Sequence, residues 1–243
     1  MPTTRTTPAS SSAEREGEGR ALTLRVPTSW EALTDGQLRY VAALLADGLA
    51  TDYVKAMLLL RPVPEHLRSQ VPAEAVADCL SELDFLDQPP AAPVRPDTLQ
   101  HCQGLNAYLH GVPFRTWLAI ENYYQGYLQS HDPEALQCLA RELYPGAEAE
   151  LSGAEGYLVL LWVVSLKAAY CQLFPYLFRT QGGGTGADDA PDQREVMNAQ
   201  IRALTGGDVT KTQAVLEADT IDALTELDAK AREAHELAER LKK

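Results

Sequence analysis

Basic residues are scarce in this sequence, and those present do not gather. Lys and Arg number 21 against 34 Asp and Glu over 243 residues, a formal net charge of −13. So acidic a surface repels phosphate backbones, and no local run of Lys or Arg offsets it, so no nucleic-acid partner is expected. Close cysteine spacing is missing too. Cys79, Cys102, Cys138 and Cys171 contain no Cys-x-x-Cys pair, which removes zinc ribbons and thioredoxin-type redox motifs. Each lies in an apolar helical context and is expected as a buried thiol packing as a small hydrophobe, without disulfides. The chain opens without the apolar run of a secretory signal. Its first 21 residues are rich in Thr, Ser, Pro and Gly, which reads as a disordered tail on a cytoplasmic protein. Repeats of fixed period are lacking as well.

Signatures of chemistry are equally thin. The glycines at 182–186 are followed by Asp188 and Asp189 rather than Lys-Ser/Thr, and no strand pattern precedes them, so neither a phosphate loop nor a dinucleotide fingerprint is present. No Gly-x-Ser-x-Gly elbow occurs. Of the five histidines, His66, His101, His110, His131 and His235, no two are spaced as metal ligands on one helix face. His101 and Cys102 are adjacent, and adjacent helical side chains point about 100° apart, so they do not form a nucleophile–base pair. The reading is therefore no catalytic residue, no cofactor and no metal. An enzyme of unrecognised class built on Glu121, His110 and Tyr124 is the rival.

What is present is helix. Hydrophobic residues make up 45% and charged residues 23%, the balance of a globular chain able to bury a core. Leu22-Thr23-Leu24-Arg25-Val26 alternates like a short strand. Thr34 and Gln37 fit a capping box opening a helix that carries Leu38, Val41, Leu44 and Leu45 on one stripe. A second helix follows Thr51-Asp52, and a third begins near Pro72 with Val76, Cys79, Leu83 and Leu86 as its apolar positions. Four prolines between 87 and 97 mark a linker or exposed loop. Helices are then expected at 98–110, 113–129, 132–143 and 154–174. A Gly-rich flexible loop covers 180–192. Helices resume at 191–204 and, after a short helix, at 221–243. The expected fold is an all-α multi-helix bundle with at most one short β segment. It divides into a tail (1–21), an N-terminal helical part (22–86), a linker (87–97), a central part (98–179), a loop (180–192) and a C-terminal part (193–243).

Three stretches bear on function. Residues 157–178 are apolar apart from Lys167 and long enough to cross a bilayer. A central charge costs about 2.5–3.5 kcal/mol there on insertion scales, and no basic flank sets an orientation, so a buried central helix is expected and a membrane-associated protein is the alternative. An aromatic band surrounds Trp117, Tyr123, Tyr124 and Tyr127, which serve either as core or as a partner-binding surface. In the last helix Leu224, Leu227, Ala231, Ala234, Ala238 and Leu241 alternate at spacings of three and four, a seam too short and alanine-rich to hold a dimer alone. It is expected to pack on its own chain or on a partner. Trp117, Tyr123, Tyr124, Tyr127, Leu224, Leu227 and Leu241 are the candidate partner-binding residues.

Two segments carry a resemblance. Val26-Pro27-Thr28-Ser29-Trp30-Glu31-Ala32-Leu33-Thr34 with Gln37-Leu38-Arg39-Tyr40-Val41 resembles the opening of small helical proteins encoded in prophage-like tail gene clusters. Ile201-Arg202-Ala203-Leu204-Thr205-Gly206-Gly207-Asp208-Val209-Thr210 with Ala223-Leu224-Thr225-Glu226-Leu227-Asp228-Ala229-Lys230 is similar to their C-terminal part. Together these residues make up about an eighth of the chain. The resemblance implies a tail assembly chaperone or accessory, which holds a long helical tape-measure protein until the tail polymerises. That family has no catalytic signature, so no residue role transfers. The expectation is a non-enzymatic protein whose apolar surface between helices shields a helical client, while its acidic exterior keeps the complex in solution. Whether it forms a homo-oligomer stays open.

Overall fold

The computed structural model describes residues 3–6, 23–178 and 193–242. Among these the chain is all-α, with ten α-helices and two short antiparallel β ribbons. The strand expected at 22–26 is present as β2 (Thr23–Val26), which pairs with β1 (Thr3–Thr6) so that Thr3 lies opposite Val26. The rest of the expected tail and the Gly-rich loop at 180–192 lie outside the described residues. Two compact units form, Met1–Pro90 with Gly153–Tyr157, and Ala91–Ser152 with Leu158–Lys243.

In the first unit, α1 (Asp35–Ala46) opens on the expected capping box: Thr34 Oγ1 accepts from the Gln37 N–H at 3.3 Å, and Gln37 Oε1 from the Thr34 N–H at 2.9 Å. Two orphan donors of the first turn are thereby satisfied. Leu38, Val41 and Ala42 form the buried face of α1. Next come α2 (Thr51–Leu60), α3 (Glu65–Arg68) and α4 (Ala73–Leu80), which tightens into a 3-10 segment at Ser81–Asp87. Trp30 is buried, and its indole N–H donates to the carbonyls of Phe85 and Gln88, both at 2.9 Å. One aromatic side chain thus ties the start of the unit to its end. Lys55 lies on the buried face of α2 beside Val54, Leu58 and Leu59. Its ammonium meets Asp84 at 2.8 Å, Asp87 at 2.5 Å and Asp52 at 3.9 Å.

The second unit begins in the proline-rich stretch. No helix or strand forms at 88–97, but the stretch is not uniformly exposed. Val94 is buried and its N–H donates to Ser165 Oγ at 3.0 Å, while the Pro96 carbonyl accepts from the Tyr144 hydroxyl at 3.0 Å. The helix expected at 98–110 is replaced by a hairpin of β3 (Thr98–Leu99) and β4 (Cys102–Gln103) and an irregular loop. Gln100 and His101 turn the hairpin at φ of 49° and 66°, left-handed values that no helix continues through. At Gly104 a Cβ would lie 2.8 Å from the Tyr144 ring, so only glycine fits. Asn106 Oδ1 then accepts from the N–H groups of Tyr108 and His110, a local turn that competes with helix.

The helices of this unit are α5 (Phe114–Ser130), α6 (Pro133–Leu143), α7 (Gly153–Leu173) from Leu158 onward, α8 (Gln193–Thr205), α9 (Thr212–Glu217) and α10 (Thr220–Leu241). Asp132 caps α6 as expected, accepting from the Glu134 N–H at 2.9 Å. The core gathers Phe114, Trp117, Leu139, Trp162, Tyr170 and Leu224. Its rings meet edge-on, Trp117 against Tyr170 at 5.1 Å and Tyr144 against Trp162 at 5.2 Å. The expectation of four buried cysteines is corrected. Only Cys79 is buried; Cys102 and Cys138 are half-buried, and Cys171 is exposed because it falls on the outer face of α7. No disulfide forms among the described residues.

Candidate interaction surface

The apolar helix expected at 154–174 is α7, and it is long and apolar enough to cross a membrane by length and composition. Within the second unit, one side of it is core. Leu158, Val159, Trp162, Val163, Leu166, and Tyr170 are sealed from solvent. The Trp162 indole donates to the Ala107 carbonyl at 3.1 Å and the Tyr170 hydroxyl to the Tyr108 carbonyl at 2.7 Å, so two ring-borne donors clip the irregular loop to the helix. Burial pushes the Tyr170 hydroxyl well above its ordinary ionisation range, with the charge of Asp219 adding to the effect.

The other side of α7 is apolar as well. Leu160, Val164, Ala168 and Cys171 recur at three- and four-residue spacing and share one face. Leu160 and Ala168 are half-buried, whereas Val164 and Cys171 are exposed. A helix that is hydrophobic all round normally has a neighbour on every side. Here the outer stripe is left partly bare.

Lys167 sits at the edge of that stripe, and its charge has a partner. Its ammonium makes an ion pair with Glu121 of α5, to Oε1 and, at 2.7 Å, to Oε2. Gln125, one turn along, donates to the same carboxylate at 3.3 Å. The Tyr124 ring lies 5.1 Å from the ammonium, in range of a cation–π contact. Leu128 follows Tyr124 by one turn on α5 and is half exposed. Burial, with the Glu121 charge adding to it, raises the ionisation range of the Tyr124 hydroxyl. On α7 the exposed Val164 and Cys171 lie one turn either side of Lys167, and on α5 the exposed Leu128 lies one turn beyond Tyr124. Sequence reasoning saw Lys167 only as a cost to membrane insertion. A carboxylate on the facing helix was the readable signal, but pairing it required knowing that α5 and α7 pack together.

The residues singled out from the sequence separate by burial. Trp117, Leu224 and Leu227 are core side chains. Each is under 5% exposed, so its side chain is spent on packing within its own unit. Tyr123, Tyr124 and Tyr127 are half-buried at a rim, and burial also raises the ionisation range of Tyr123. Leu241 is 80% exposed. Of the rival enzyme set, Glu121 and Tyr124 meet around Lys167, whereas His110 lies beside Asp219 at the start of α10. The Glu121 carboxylate is held by Lys167 and Gln125 rather than presented to a cleft. Among the described residues no three His, Cys, Asp or Glu side chains gather as a metal site requires. A shallow depression of about 300 Å³ is lined by Ile201, Arg202, Thr205 and Val209, with Arg202 the one charge in it.

Where α10 begins, Asp219 caps it. Its carboxylate accepts from the N–H groups of Ile221 at 2.8 Å, Asp222 at 3.4 Å and, from the loop, Gly111. Burial alone would raise this carboxyl, but the backbone donors outweigh it and hold the group below its ordinary range. Thr220 pairs with the Val112 carbonyl through both its N–H and its hydroxyl, at 2.9 and 2.8 Å, fixing the helix to the core. Comparison with protein-family models, with curated proteins and with solved structures finds no match for this chain.

Proposed function

We propose that this chain is a non-enzymatic assembly protein that holds a helical client, in the manner of the tail assembly chaperones its two end segments resemble. The observation carrying this reading is the bare outer stripe of α7, with Val164 and Cys171 exposed and Tyr124 reaching Lys167 at its edge. An amphipathic client helix laid along that stripe would bury its own apolar face against these side chains. The Glu121–Lys167 pair at the edge would give the polar residues bordering such a face a place to bond. A net charge of −13 keeps a chaperone with a long apolar client soluble.

The test is co-purification of the tagged chain from its native host, read for a long helical protein. Wild type is expected to retain that protein, and Val164→Asp to lose most of it at an unchanged melting temperature. No retention by wild type contradicts the reading. The length and composition of α7 also favour a second reading, attachment to a membrane through the same stripe. Flotation with lipid vesicles separates the two, since a client-holding protein stays at the bottom of the gradient.

A further inference from the structure

Helix α10 keeps one apolar face along its length but buries only the first half of it. At 100° per residue, Ala223, Leu227, Ala231, Ala234, Ala238 and Leu241 fall within a single stripe. Ala223, Leu224 and Leu227 are buried in the core of the unit. Past Ala231 the same stripe is in solvent: Ala234 and Ala238 are exposed, Leu237 is 58% exposed and Leu241 80%. With Ala234 and Leu241 as a positions and Leu237 as d, exposed Glu233 and Arg240 occupy the two g positions on one border. The other border carries Ala231 and Ala238.

We propose that this distal half-helix pairs antiparallel with the same segment of a second copy of the chain. In that register Leu237 of each copy packs against Ala234 of the other, and Glu233 of each meets Arg240 of the other. The alanine borders face one another and let the two backbones approach closely. Charge selects the direction. In a parallel pair the g residue Glu233 would meet Ala238 of the second copy, and neither ionic contact would form. Arg240 is able to turn outward, since its own-helix contact with Glu236 is loose at 3.9 Å and 78% of the Arg240 side chain is in solvent. Length fits as well. The overlap brings Leu241 of one copy opposite Lys230 of the other, whose aliphatic stem can cover it. Beyond that point Asp228 accepts from the N–H groups of Tyr176 and Leu177 at 2.8 and 2.9 Å, while the Tyr176 ring reaches His235, a b position off the seam, at 6.2 Å. Twelve residues per helix, alanine-rich and under two heptads, are too few for a stable dimer, so the pairing is transient and forms only in the high micromolar range.

Analytical ultracentrifugation of the full chain, under reducing conditions that keep Cys171 from linking copies, tests this. Wild type is expected to pass from monomer to dimer as concentration rises into the high micromolar range. E233R and R240E are each expected to weaken dimerisation about tenfold by setting like charges opposite one another. An equimolar mixture of the two variants restores it, because every cross-helix contact is then of opposite sign. A chain that stays monomeric throughout overturns the proposal. So does a dimer unmoved by E233R, or one that mixing fails to restore. Val164→Asp leaves this dimer intact, which separates its failure from failure of the client surface.

Discussion

Lys55 shows what apolar spacing alone leaves unread. An apolar stripe through Val54, Met57, Leu58 and Leu60 suits α2, yet the buried positions are Val54, Lys55, Leu58 and Leu59. The lysine is tolerated inside because Asp84 and Asp87 come to it from the 3-10 segment. Hydrogen bonds to these two carboxylates raise the ionisation range of Lys55 above its ordinary value, against the opposing effect of burial. A group raised on folding stabilises fully below its unfolded pKa and loses that contribution as pH climbs through the folded one. Urea unfolding is therefore expected to show a loss of stability above about pH 10.5 that the double variant D84N/D87N lacks. At neutral pH that double variant strands a buried ammonium and is expected to cost about 3 kcal/mol, whereas Lys55→Met costs much less. Equal effects of the two would contradict the pairing. Asp219 has the opposite sign. Its carboxyl is depressed, so its contribution is present above the unfolded pKa near 3.8 and disappears as pH falls through the lower folded value. Asp219→Ala is expected to cost about 1 kcal/mol at pH 7, and the difference from wild type closes below pH 4.

At the scale of elements, α10 divides into two halves that respond differently to substitution. Leu224 is sealed in the core, and Leu224→Ala is expected to lower stability by about 2–5 kcal/mol. Leu241→Ala, on the same helix, is expected to stay within about 0.5 kcal/mol. Thermal melts at a concentration where the chain is monomeric compare them directly. The periodicity of this helix is legible in the sequence, and so are the acids at its start (Asp219, Asp222, Glu226) and the bases at its end (Arg240, Lys242, Lys243). Where its neighbours stop is not, because spacing records which face is apolar and not how far the packed body extends. Residues 98–110 were misread for a different reason. Leu99, Cys102 and Leu109 have plausible helical spacing, but Gln100, His101 and Leu109 adopt left-handed φ values, and the loop carbonyls are taken up by Trp162 and Tyr170. Gly104, Asn106 and Gly111 were the local signs of a loop. The tertiary donors that hold it were beyond reach of local pattern.

At the scale of the whole molecule, the all-α class follows from caps and apolar stripes that agree with one another along most of the chain. Capping residues at Thr34, Asp132 and Asp219 mark helix starts where they occur. The surface is less legible. An aromatic band and a leucine seam mark residues that pack, and packing inward or outward uses the same side chains, which is why Trp117 and Leu227 became core while Tyr124 stays at a rim. Val164 and Cys171 were hidden inside a run that reads as uniformly apolar; only the placement of its neighbours exposes them. The central claim is that this outer stripe of α7 receives a client helix. Its most direct test is equilibrium binding of the purified full chain, and of Val164→Asp, to a long helical protein that co-purifies with the wild type from its native host. Saturable binding by wild type, weakened at least about tenfold in Val164→Asp at an equal melting temperature, is the expected result. Absence of binding, or equal affinity for the two forms, contradicts it.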